Sequence, residues 1–162
     1  MNHELSLLAE TVLSHPVITR ASDIAMRDLV ELALEECKKH GAVYSDVRIV
    51  TIRDEDISIK SGSIEVMQLN REIGFGIRCI ADGGWGFAGS FDISKDEIRR
   101  VAELSVRIGK ASGSTRKKPV EIKDEKPVES SYHTKIKKDP FKVPAEEKLE
   151  VLVETDRRLR EY

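Results

Sequence analysis

One segment of the chain has few ways to fold: Gly74-Phe75-Gly76-Ile77-Arg78-Cys79-Ile80-Ala81-Asp82-Gly83-Gly84-Trp85-Gly86-Phe87-Ala88-Gly89-Ser90-Phe91. Two runs of strand-prone residues flank Asp82-Gly83-Gly84. A type I′ turn needs positive φ at both central positions, and Asp-Gly tolerates it at low cost. The segment therefore predicts a tight antiparallel hairpin. Ser94 with Glu97 then forms a capping-box signal, the start of a helix. Ile98, Val101, Ala102, Ser105 and Ile108 recur at helical spacing after it. Their stripe is expected to pack on one face of the sheet.

The same period-two pattern extends upstream to Tyr44. Val47, Ile49 and Thr51 alternate with Arg48, Val50 and Ile52. Ile57 and Ile59 continue the alternation, Ser61-Gly62-Ser63 reads as a turn, and Ile64 and Val66 resume it. Asp54 and Asp56 read as solvated residues of a strand turn. Short sequential turns imply an antiparallel meander. Before it, Ser22 or Asp23 can cap a helix whose stripe is Ile24, Leu29, Ala33, Leu34 and Cys37. Lys38, Lys39 and His40 fill its last turn, and Gly41 stands at C′.

The expected fold class is α+β: a mostly antiparallel sheet of four to five strands packed against two amphipathic helices, with a short N-terminal helix and a C-terminal helix start. The expected divisions are an N-terminal arm helix over 1–20, an α–meander–α domain over 21–113, a Pro/Lys-rich connection over 114–143 and a helix start over 144–162. Leu5, Leu8 and Val12 pattern the arm, which Pro16 ends. Val120, Ile122, Val128 and Ile136 are candidates for short edge strands within the connection. Pro144 suits the first turn of the last helix, whose apolar face is Leu149, Leu152 and Leu159. No stop signal precedes Tyr162, so truncation ahead of a missing C-terminal region is expected.

Composition excludes several classes. Hydrophobic residues make up 40% and charged residues 35%, values of a soluble globular chain. A formal net charge of −2 gives no global attraction to nucleic acid or anionic membranes. No eighteen-residue apolar run exists, and Glu4 and Glu10 are foreign to a secretory signal, so the expected location is cytoplasmic. Cys37 and Cys79 then read as reduced thiols. Asn2, Asn70 and Gln68 are the chain's entire amide complement, a scarcity found in thermophile proteins.

No group of residues reads as a catalytic centre. Gly84, Gly86 and Gly89 satisfy G-x-G-x-x-G, but a dinucleotide fingerprint needs them between a strand and a helix N-terminus. Trp85, Phe87 and Phe91 alternate through the motif as in a strand, so the glycines read as close-packing positions or bulges. His3, His15, His40 and His133 belong to no helical metal-binding pair, and Leu7 stands where a second ligand after His3-Glu4 would be. No serine has the G-x-S-x-G context. The basic run Arg116-Lys117-Lys118 is interleaved downstream with acids and has only Tyr132 as a nearby aromatic. It reads as a solvated linker, and no nucleic-acid or membrane partner is expected. Catalytic and metal-ligating residues are therefore expected to be absent. Arg78 is a candidate contact for a carboxylate or peptide carbonyl. With Asp82, Trp85 and Phe87 of the same hairpin, it completes the set of candidate substrate or interface residues.

Gly41-Ala42-Val43-Tyr44-Ser45-Asp46-Val47-Arg48, Gly74-Phe75-Gly76-Ile77-Arg78, the stretch Asp82 to Phe87 and the helix after Ser94 together resemble the N-terminal domain of the TldD/PmbA family of zinc metalloproteases. Asp139-Pro140-Phe141 followed by Ala145-Glu146-Glu147-Lys148-Leu149 resembles that family's entry into its next helix. The resemblance implies cleavage of peptides or unfolded proteins by a longer parent. It places zinc on a His-Glu-x-x-x-His helix and a cysteine in the missing C-terminal region, and none of those positions occurs here. For this segment it implies a non-catalytic role in shaping a substrate chamber and pairing subunits, as a homodimer or as a heterodimer with a family paralogue. The alternative is a stand-alone binding or dimerisation module without peptidase activity.

Overall fold

The computed structural model describes residues 23–123 and 126–161. The arm helix expected over 1–20 and the Ser22 cap lie outside the described residues. The elements in order are α1 (Asp23–Lys39), β1 (Tyr44–Lys60), β2 (Ser63–Ala81), β3 (Gly84–Ser90), α2 (Lys95–Ser114), a 3-10 turn (Pro140–Lys142) and α3 (Ala145–Arg160). The class is α+β, as the alternation and helical spacing require.

Among the described residues the sheet has three strands in the order β1-β2-β3, not four to five. The turn expected at Asp54 and Asp56 is absent. β1 runs unbroken through Arg53-Asp54-Glu55-Asp56, and β2 runs unbroken from Ser63 into the Gly74-Phe75-Gly76 stretch. Neither region contains the proline or positive-φ glycine that would enforce a turn. Charged side chains there are accommodated within the ladder instead: the Asn70 amide donates to Asp54 across the strands at 2.9 Å, and Lys148 of α3 pairs with Glu55. The true turns lie where left-handed backbone is available. Ser61 and Gly62 have φ of 51° and 81°, and Asp82 and Gly83 have φ of 49° and 73°.

The chain folds into two compact units. One comprises, among the described residues, 23–52 and 72–126. Its core is Ala33 and Cys37 of α1, Phe75, Ile77 and Cys79 of β2, and Ile98, Val101, Ala102 and Val106 of α2. The other includes Arg53–Arg71 and the chain from Pro127 onward. There α3 buries Leu149, and the Arg53 guanidinium stacks 4.4 Å from the Phe141 ring centre. In the described part of 114–143 no strand forms. Val120 is tied to the hairpin turn, its N–H donating to the Gly83 carbonyl at 2.9 Å.

The seating of α2 on the β2–β3 hairpin follows from matched side-chain sizes. Pairs facing the helix are Phe75–Ser90, Ile77–Ala88, Cys79–Gly86 and Ala81–Gly84, shrinking toward the turn. Buried positions on α2 run Ile98, Val101, Ala102, Ser105, Val106 and Gly109, and they shrink in the same direction. Helix and sheet therefore approach to backbone contact near the turn. A Cβ on Gly84 would lie 2.6 Å from Gly113 Cα, and one on Gly86 would lie 2.6 Å from the Gly109 nitrogen. These two glycines are close-packing positions. Ile108, expected on the buried stripe, is 40% exposed, because Gly109 takes the inward position beside Ala81 and Gly84.

The helix start forms half of its capping box. Ser94 Oγ accepts from the Glu97 N–H at 3.4 Å, while the Ser94 N–H donates to Asp92 at 2.9 Å. Glu97 turns to Arg100 instead of reaching back, with a 2.6 Å hydrogen bond.

Candidate functional site

α1 and α2 cover one face of the unit's sheet. On the opposite face Ile80 is buried near the turn, while Phe87 and Phe91 are exposed. Arg78 and Phe87 are cross-strand partners there, as are Gly76 and Gly89. Arg78 reaches β1, where its Nε and Nη2 each lie 2.8 Å from Asp46 Oδ2. Counting antiparallel from that contact sets Arg48 beside Gly76, Val50 beside Gly74 and Ile52 beside Glu72. All of these residues line a single trough of about 1010 Å³.

The trough has an unusual cross-section. Gly76 and Gly89 carry no side chains, and the Phe87 ring closes over Gly76. Glycine inside a strand marks a place where another backbone or a ligand can come close. The walls are apolar: Val50 and Ile52 are each 51% exposed, Phe87 64% and Phe91 85%. The Phe87 ring leans over Gly76, where an added Cβ would meet it at 3.0 Å. A contiguous exposed apolar patch on a folded domain marks an interaction site or groove.

One end of the trough is electrostatically closed. Asp46 Oδ2 accepts from Arg78 Nε at 2.8 Å and from the Tyr44 hydroxyl at 3.0 Å, with Arg78 Nη2 in ion-pair contact. The Arg78 guanidinium also lies 4.9 Å from the Trp85 ring centre, and Tyr44 meets Trp85 edge-on at 6.0 Å. The Asp46 hydrogen bond and charge raise the Arg78 pKa above its ordinary value. Asp46, Tyr44 and Trp85 together hold the guanidinium in one orientation. Of the four candidates from the sequence, the structure places Arg78 and Phe87 on the trough and Trp85 against Arg78. Asp82 sits in the turn, away from the trough, with its carbonyl against Gly113. Arg48, Val50, Ile52 and Phe91 were missed. The alternation on β1 put the first three on the face opposite Val47 and Ile49, a signal sufficient to find them once that face is known to be open.

The buried thiols do a different job. Ser105 donates its hydroxyl proton to the Ala102 carbonyl at 2.8 Å and accepts from the Cys79 thiol at 3.6 Å. Cys37 Sγ lies 3.9 Å from the same hydroxyl. Burial pushes Cys37 up to about 11 and also raises Cys79, so both stay protonated near neutrality. The thiolate is the reactive form. Iodoacetamide at pH 8 is therefore expected to leave the native chain unlabelled over about an hour and to label both cysteines in denaturant. Rapid labelling of the folded chain, read by intact mass, would contradict this packing.

These donors do not suit zinc. Cys37 and Cys79 are core residues, and His40 lies on the surface 3.7 Å from Glu36. Among the described residues no group of three or more His, Cys, Asp or Glu converges as metal ligands. Among the same residues no helix is long and apolar enough to cross a membrane.

An α+β domain with one helix-covered face and one open, glycine-floored face is the class of module defined here. Residues 45–109 match PmbA/TldA metallopeptidase domain 1. The chain belongs to the TldD/PmbA family, and this is its N-terminal domain. It is 31% identical over 126 residues to a metalloprotease of Methanocaldococcus jannaschii, a match covering 76% of this chain and 28% of the relative. It is 32% identical over 109 residues to a metalloprotease of Methanothermobacter thermautotrophicus, covering 67% of this chain and 23% of that one. The chain thus spans less than a third of the length of these relatives. The crystal structure of TldE from Thermococcus kodakarensis shares the fold, with a TM-score of 0.54 and 21% identity over 84% of this chain and 29% of that one.

Proposed function

We propose that this chain is the non-catalytic N-terminal domain of a TldD/PmbA-like zinc metalloprotease, and that its open sheet face helps to receive peptides or unfolded segments for cleavage. The observation that carries the reading is the trough. Glycines along its floor and the exposed apolar side chains of Phe87, Phe91, Val50 and Ile52 suit an extended apolar chain. A folded protein would not enter it, whereas a strand-like segment would bring both its backbone and alternate side chains into contact. Zinc and the groups that activate water belong to a part of the protein beyond these residues. Subunit pairing, as a homodimer or with a family paralogue, and a cytoplasmic location complete the proposal. The relatives' description as metalloproteases supports it over a stand-alone binding module.

Phe91 offers the cleanest test, because at 85% exposure it contributes little to the core. Phe91→Asp is expected to weaken binding of apolar peptides about tenfold, the value of one lost aromatic contact plus an introduced charge. Its melting temperature should match that of the unaltered chain. Binding would be followed by calorimetry with short leucine-rich peptides. No binding by the unaltered chain, or equal binding by Phe91→Asp, would count against the trough as the receiving surface.

A further inference from the structure

The charges that line the trough are arranged along its length, and the arrangement bears on how a peptide would lie in it. Asp46 and Arg78 neutralise each other at 2.8 Å. Two lining charges remain, Arg48 and Glu72. Both are exposed, and among the described residues neither has an ion-pair partner. Arg48 stands beside Gly76, over which the Phe87 ring leans. Glu72 stands beside Ile52 at the other end. From position 48 to position 52 the strand advances about 13 Å. Between the two charges the walls are the apolar side chains of Val50, Ile52 and Phe91.

A zwitterionic peptide of about five residues has the same charge pattern and span, since an extended chain rises about 3.3 Å per residue. We infer that the trough binds short apolar peptides by both free ends, the terminal carboxylate at Arg48 and the terminal ammonium at Glu72, and so holds them in one direction. This rests on the peptide-receiving role proposed above and specifies the ligands the trough holds by their ends: short peptides with free termini. The geometry favours it in two ways. The exposed Arg48 guanidinium, without an ion-pair partner among the described residues, can take a carboxylate with two parallel hydrogen bonds. The Asp46–Arg78 pair has no charge left to compete for either terminus.

The test is calorimetric titration of the full chain with the uncharged-side-chain pentapeptide Leu-Ala-Leu-Ala-Leu in three forms: free, C-terminally amidated and N-acetylated. Each blocked end should weaken binding by about three- to fivefold, as expected for partly exposed ion pairs. Amidation should have no further effect in Arg48→Gln, and acetylation none in Glu72→Gln. Both side chains are exposed, so these variants should keep the parent melting temperature. Equal affinity for all three forms overturns end recognition while leaving peptide reception intact. Sensitivity to amidation that persists in Arg48→Gln overturns the assignment of the carboxylate to Arg48. Failure of every form to bind overturns both this inference and the function on which it rests.

Discussion

Gly86→Ala is expected to destabilise the fold by more than about 4 kcal/mol, close to the whole stability of a marginal domain. The added methyl would fall inside the Ser105 carbonyl oxygen and 2.6 Å from the Gly109 nitrogen. Both are backbone atoms of α2, so no rotamer change relieves the overlap. The helix must move away from the sheet, and that opens the contact between Val101, Ala102 and Val106 and the strands. Small-to-large changes in a well-packed site typically cost about 1–3 kcal/mol when side chains can yield. Gly76→Ala belongs to that milder class, because its methyl meets the edge of the exposed Phe87 ring at 3.0 Å. Thermal denaturation should separate the two by at least about 10 °C. A Gly86→Ala melting temperature within a few degrees of the parent would show that the helix does not rest on the strand backbone.

The contrast between these glycines shows what was legible in the sequence. Asp82-Gly83-Gly84 specified a hairpin because few residues tolerate two successive left-handed positions, and Ser94 specified a helix start. Alternation through Trp85 and Phe87 put Gly84, Gly86 and Gly89 in a strand and not in a phosphate loop. Which face each glycine served was not legible, since Gly84 and Gly86 face α2 while Gly76 and Gly89 floor the trough. Nor was the choice of Gly109 over Ile108 for the buried stripe, because hydrophobic spacing favours the larger apolar residue. Only the taper of the strand pairs reveals that the end of α2 needs glycine. Strand number was overestimated for a related reason. Charged runs such as Arg53-Asp54-Glu55-Asp56 read as turns, yet in a ribbon they find cross-strand and helix partners and the ladder continues. The trough was half visible: Arg78 and Phe87 came from the hairpin, but Arg48 and Phe91 required knowing that no helix among the described residues covers that face.

The other end of the same taper gives the second large effect. Ile77→Ala is expected to cost about 4 kcal/mol, within the range of large-to-small core changes. Ile77 lies on the central strand, is fully buried and is paired with Ala88. Its side chain occupies the space that Ala88 leaves, between the wide end at Phe75–Ser90 and the narrow end at Cys79–Gly86. Collapse would have to come from α2, but its contact with Gly84 and Gly86 already fixes how near the helix can approach. A cavity that cannot relax keeps its full cost, so Ile77→Ala should fall in the upper half of the range and Ile77→Val at about 1 kcal/mol. Ile52→Ala on the open face, at 51% exposure, should change stability by less than about 1 kcal/mol. Urea denaturation of the three variants would check the order. A loss for Ile77→Ala no greater than that for Ile52→Ala would mean that α2 can settle onto the sheet. The rigid backbone contact that makes Gly86→Ala so costly would then be absent as well.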